Sequence, residues 1–140
     1  MKNDYANKLM KEHHLFKECV SCNFPIGYNP KIKQFVQWLE TFNKKNNCDI
    51  SVSQVKIKFG FLTIYVQDNI AREQPELHPV YGEETDMVHK VYEKIAALCY
   101  EVQKICNVCG KDLVESVYDS KIVWTCFDHP EENYIKFKRR

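Results

Sequence analysis

Four residues toward the end of the chain have the types and spacing of a metal site. They are Cys106, Cys109, Cys126 and His129, within "ICNVCGKDLVESVYDSKIVWTCFDHP". The members of each pair stand three positions apart, and sixteen residues lie between the pairs. Thiolate and imidazole are the ligands zinc takes in tetrahedral sites, and two ligands so spaced can wrap one tight turn and face the same ion. Gly110 follows the first pair, where a knuckle turn favours a residue that tolerates positive φ. The segment between the pairs alternates, with Asp119-Ser120 at a turn, and reads as a hairpin. "DHPEE" reads as a helix start, with Pro130 at the first position and acids in the first turn. Knuckle, hairpin and a ligand pair at a helix start is the plan of a treble-clef zinc finger. The expected cofactor is therefore a structural Zn2+ held by all four residues. A catalytic zinc keeps one position open for water, and no Glu or His stands in an obvious general-base register here. Free thiols or another metal are the remaining alternatives.

"ECVSC" places Cys19 and Cys22 at the same spacing. Further ligands would have to come from His13, His14, Cys48 or Cys99, none of which has a partner at ligand spacing. The pair reads either as a second metal site or as two thiols. Cys99 falls on the apolar stripe of a helix and reads as a small buried side chain.

These residues need elements to position them. Tyr5, Leu9, Met10, His13 and Phe16 recur at helical spacing. Pro25, Gly27 and Pro30 then break any regular pattern. Asn29-Pro30 predicts a helix start, Asn as cap and Pro first. Ile32, Phe35, Val36, Leu39 and Phe42 form its stripe, which ends near "NKKNN". Val55, Ile57 and Phe59 alternate with Gln54, Lys56 and Lys58. Leu62, Ile64 and Val66 alternate with Thr63, Tyr65 and Gln67. Gly60 lies between the runs, which predicts a tight antiparallel hairpin. Residues 68–84 read as a long loop. Thr85 or Glu84 then opens a helix through Val88, Val91, Tyr92, Ile95, Cys99 and Val102 that delivers the chain to Cys106. The predicted fold class is α+β: helices packed on a small antiparallel sheet, with a treble-clef-like zinc module at the C-terminal end. The 140 residues suit one domain, 1–140, with 105–140 as a zinc-binding submodule.

In this order, "IGYNPKIKQFVQWLE", "SQVKIKFGFLTIYVQ" and "ICNVCGKD … WTCFDH" resemble a family of small, mostly uncharacterised bacterial and phage zinc-binding proteins. In that family a "GW" segment precedes a helix, a strand pair like "QVKEKFGGLRFY" follows, and a "CEVCG … LCDEH" site ends the pattern. The likeness runs from Gly27 to His129. Tyr28 stands where the family has tryptophan, and Thr63 stands near the place of its arginine. The resemblance implies a shared zinc-stabilised fold and no particular activity.

Charge and composition narrow the function classes. A formal net charge of +1 argues against a general polyanion binder. No apolar run approaches the roughly 18 residues of a membrane span, and Met1 to Lys11 lacks the apolar core of a secretory signal. Seven cysteines without such a signal favour metal binding or free thiols over disulfides. A cytoplasmic protein is expected, in the host cytoplasm if the chain is phage-encoded. His13, His14, His78 and His89 are scattered and form no catalytic constellation, and there is no phosphate-cradling glycine loop, so no enzyme is expected.

Two binding classes remain. Residues 68–94 carry seven acids against three basic residues. Their loop presents Leu77, Val80 and Tyr81 with Glu83 and Glu84, a surface suited to a basic protein partner. Residues 31–58 carry six basic residues against two acids. Lys44, Lys45, Lys56 and Lys58, with Phe59, Phe61, Tyr65 and Trp124 as stacking surfaces, make nucleic-acid binding the alternative. The first expectation is a zinc-stabilised protein-binding factor, such as a phage or mobile-element inhibitor of a host system. The bland counterparts are a solvated loop, lysines guarding a sheet edge and aromatics packed in the core.

Overall fold

A computed structural model describes residues 3–73, 86–106, 108–110, 117–118 and 121–122. The elements are α1 (Asp4–Glu12), α2 (Asn29–Asn46), β1 (Ile50–Lys58), β2 (Phe61–Asp68), α3 (Asn69–Glu73), α4 (Asp86–Val102), β3 (Val117–Tyr118) and β4 (Lys121–Ile122). Short 3₁₀ turns cover His14–Phe16 and Ile26–Tyr28. This is the expected α+β class: an antiparallel pair β1–β2 with helices against it, and a second antiparallel pair β3–β4 where the second hairpin was predicted.

The alternating runs of the hairpin set its two faces. Val52, Val55, Leu62, Ile64 and Val66 are buried. They meet the stripe of α4 (Val88, Val91, Ile95, Leu98, Val102), and the stripe of α2 (Ile32, Phe35, Val36, Leu39) completes the core. Burying a side chain of this size contributes about 1.5–3 kcal/mol, so these stripes account for much of the fold's cohesion. Both edges of the sheet are engaged. Along β1, Val20 N–H donates to Ser53 O at 2.9 Å, Val55 N–H to Ser21 O at 2.9 Å and Asn23 N–H to Val55 O at 3.0 Å. Along β2, Val66 N–H donates to the Tyr92 hydroxyl at 3.1 Å, and that hydroxyl donates back to Val66 O at 3.3 Å. Unpaired strand edges invite association, and these contacts close them locally.

Asparagines make the joins between elements. Asn3 caps α1, its Oδ1 accepting from Tyr5 N–H and Ala6 N–H, while its Nδ2 donates to Phe24 O at 2.9 Å and to Asn29 Oδ1 at 2.7 Å. Asn47 ends α2 in the left-handed region at φ 53°. Asn43 then exchanges two hydrogen bonds of 3.0 Å each with the backbone of Ile50, which ties the end of α2 to the start of β1.

Four sequence expectations shift. Helix α2 starts one residue early: Tyr28 is the cap position, Pro30 lies in the first turn, and Asn29 spends its side chain on Asn3. Helix α1 stops at Glu12, because His13 turns extended and its Nδ1 accepts from Leu15 N–H at 3.1 Å, which starts a separate 3₁₀ turn. The segment read as loop from residue 68 begins as strand and then forms α3, with Asp68 Oδ1 accepting from Ala71 N–H. The inward face of the hairpin does not persist to its tip: Ile57, near the end of β1, is 39% exposed, and Phe59 lies past the strand in the turn at φ 54° and is 88% exposed. The expected helix start at Thr85 or Glu84 lies outside the described residues. No described helix is long and apolar enough to cross a membrane.

Candidate metal centre and exposed hairpin face

Helix α4 ends in a tightened last turn, with Lys104 N–H donating to Glu101 O, and hands the chain to Cys106. Cys106 is fully buried and Cys109 is exposed. Between them the backbone makes a knuckle: Val108 N–H donates to Cys106 Sγ at 3.3 Å, and Gly110 N–H to Cys106 O at 2.9 Å, with Gly110 at φ +80°. An amide aimed at the sulfur stabilises thiolate character. A fully buried thiolate is costly unless a cation or donors compensate it. The knuckle therefore fits a metal ligand pair. The 3₁₀ turn Ile26–Tyr28 seats it from below, since Gly110 abuts Gly27 O. Tyr28 is buried, and burial first, then the neighbouring Cys106 and Cys99 thiols, push its hydroxyl up to about 12. The support that Gly27 and Tyr28 give the knuckle is a contact the sequence reading missed. Cys126 and His129 lie outside the described residues.

Cys19 and Cys22 are both buried, at 8% and 7% exposure, and hydrogen-bond to each other. Among the described residues, the cluster with three donors close enough for a metal is His13, His14 and Glu40, and it contains neither cysteine. His13 Nε2 lies 2.7 Å and His14 Nε2 3.4 Å from Glu40 Oε1, and the two rings stack at 4.9 Å. Because His13 Nδ1 accepts from a backbone N–H, the neutral ring carries its proton on Nε2, facing Glu40. That tautomer has no lone pair for a metal at Nε2, so the cluster reads as a helix-to-helix tie. Sequence spacing gave no sign of Glu40 here, since the tie depends on how α2 crosses the end of α1. Cys48 donates to Asn46 O and Cys99 donates to Leu62 O. Cys99 is half-buried rather than buried, and burial pushes its thiol up to about 11.

The four lysines proposed for nucleic acid do not converge. Lys44 and Lys45 sit in the last turn of α2, near the start of β1, and Lys56 and Lys58 near its end. The intervening strand separates the two sets by about 20 Å. Lys56 and Lys58 belong instead to the outer face of the hairpin. They pair across the strands with Thr63 and Phe61, and Tyr65 lies opposite Gln54. Lys56 Nζ stands 5.8 Å from the centre of the Tyr65 ring, and Lys58 Nζ 6.0 Å from that of Phe59. Neither strand carries an acid before Asp68. The tip is Phe59 and Gly60, both at positive φ. Leu77, Val80, Tyr81, Glu83, Glu84 and Trp124 lie outside the described residues.

Compared with protein-family models, with curated proteins and with solved structures, the chain matches none.

Proposed function

We propose that the chain is a non-enzymatic, zinc-stabilised binding module that engages a protein partner through the tip and outer face of the β1–β2 hairpin. The observation that carries this reading is Phe59. It is 88% exposed, and its φ of +54° is a conformation that bulky residues avoid. A turn there would be easier with Asn or Gly, so an exposed phenylalanine held in strain points to a use outside the fold. Phe61 and Tyr65 extend the apolar surface along the outer face, and the two lysines rim it. Such a surface suits an apolar pocket with an acidic border, with the aromatic as anchor.

Cys106, Cys109, Cys126 and His129 would hold the zinc. The ion would act as a cross-link, fixing the segment after α4 to the body of the fold. The resemblance to the small bacterial and phage zinc-binding proteins agrees with this role. The loop of Leu77, Val80, Tyr81, Glu83 and Glu84 stays part of the proposed partner surface on its composition. A mobile-element inhibitor of a host protein is the proposed setting.

A second reading has its own observation. The rings and ammonium groups of the hairpin interleave, as in platforms that stack single-stranded nucleic acid. One pair of experiments separates the two readings. A photo-crosslinking amino acid at position 59 should capture a discrete protein from cell extract, and Phe59→Ala should lose that partner without loss of folding. A gel shift with single-stranded oligonucleotides, weakening steeply as salt rises, would instead favour the nucleic-acid reading.

A further inference from the structure

The Cys19–Cys22 pair is the cluster of reactive side chains that neither the metal centre nor the hairpin face uses. The backbone around it is fixed. Val20 N–H, Asn23 N–H and Ser21 O all bond to β1 at 2.9–3.0 Å, and Cys22 forms a parallel bridge with Val55. These bonds lay Val20 to Asn23 alongside β1, and the Val20 side chain is 76% exposed. The two sulfurs face each other closely enough to share a hydrogen bond. With no third donor in reach among the described residues, the pair falls short of the four ligands a structural zinc takes.

We infer that Cys19 and Cys22 form a thiol–disulfide exchange site, which takes oxidising equivalents from low-molecular-weight disulfides of the glutathione type and closes as a Cys19–Cys22 disulfide. The Cys19 thiolate attacks one sulfur of the small disulfide. A mixed disulfide forms, the small disulfide's S–S bond breaks and one small thiolate leaves. Cys22 then gives up its proton and attacks Cys19 Sγ, expelling the second small thiolate. The chain loses two electrons, and the small disulfide gains them as two thiols. The environments of the two sulfurs match these roles. The hydrogen bond from Cys22 lowers the Cys19 pKa against the opposing effect of burial, while the Cys19 thiol itself donates to Ser21 O at 3.1 Å, a bond it gives up on ionising. The same partner and burial raise that of Cys22. The attacking thiol is thus the acidic one and the resolving thiol stays protonated until the mixed disulfide exists.

The test uses the intact protein equilibrated at graded ratios of reduced to oxidised glutathione, then alkylated and cut with trypsin. The peptide 18–31 contains these two cysteines and no other. It is expected to lose two hydrogens, about 2 Da, toward the oxidising end and to recover both alkylatable thiols in dithiothreitol. Cys22→Ser should instead trap glutathione on Cys19, a gain of about 305 Da, while Cys19→Ser should trap none on Cys22. Two free thiols at every ratio in the wild-type peptide would overturn the inference. So would a bound zinc that disappears with Cys19→Ser, since that assigns the pair to a metal.

Discussion

Gly110 rests against the backbone carbonyl of Gly27: a Cβ added to Gly110 would lie 2.8 Å from that oxygen. Gly110 also sits at φ +80°. The contact joins the cysteine knuckle to the turn ahead of α2, so the candidate metal centre is seated on the fold at its backbone. Backbone cannot move aside as a flexible side chain can. Gly110→Ala should therefore cost about 2 kcal/mol or more, from the clash and the strained φ together. Urea unfolding measures it; an unchanged midpoint would mean the two glycines do not meet.

Metal content checks the knuckle directly. Purified protein is expected to carry about one zinc per chain. Cys106→Ser, Cys109→Ser and Cys126→Ser should each lose it, and strong chelation should lower the melting temperature of the wild type, because a ligand of the folded state stabilises it by mass action. Zinc content and melting temperature unmoved by Cys106→Ser would remove the metal centre from the account.

Much of the framework was legible in the sequence because it depends on local periodicity. The stripes of α2 and α4 follow the 3–4 spacing, and Val55 through Val66 follow the twofold one, so their burial could be read ahead of any structure. The metal spacing was legible for the same reason. What the sequence hid are relations between distant segments. Asn29 looked like a helix cap, yet Asn3 engages it from α1. His13 and Glu40 meet because α1 ends where α2 passes. Phe59 looked like a core position by alternation, yet it falls in the turn past the end of β1 at φ 54°, where the alternation no longer holds, and it is 88% exposed.

Phe59→Gly separates folding from binding. A left-handed φ costs an ordinary residue roughly 1–2 kcal/mol, and glycine gives back part of that gain through its own backbone entropy. Since Phe59 buries almost nothing, the variant should be more stable by about 0.5–1 kcal/mol, with the partner lost. A destabilised Phe59→Gly would show that the ring packs on the fold after all.

Asn43→Ala should be costly for a polar residue on a helix. It removes both 3.0 Å bonds to Ile50, whose side chain is fully buried and whose amide and carbonyl open β1. Leaving such groups unpaired costs about 1–3 kcal/mol. Asn43→Asp keeps the acceptor and loses the donor, so it should fall between wild type and alanine in thermal unfolding at neutral pH. If alanine matches the wild type, water replaces the asparagine fully.

The Cys99 thiol gives a test by pH. Its Sγ donates to Leu62 O at 3.1 Å, and burial raises its pKa from 9.0 to about 11. The folded chain therefore holds this proton more tightly than the unfolded chain does. Between these two values the unfolded state binds fewer protons, so the contribution is whole below about pH 9 and drains away toward pH 11. Cys22 is raised in the same direction, so a falling wild-type curve alone would not identify the group. The difference from Cys99→Ala does. That variant should be less stable at pH 7, and the gap should narrow steadily as pH climbs from 9 to 11, read from urea midpoints at each pH. Parallel curves across this window would mean that Cys99 stays protonated throughout or never bonds to Leu62.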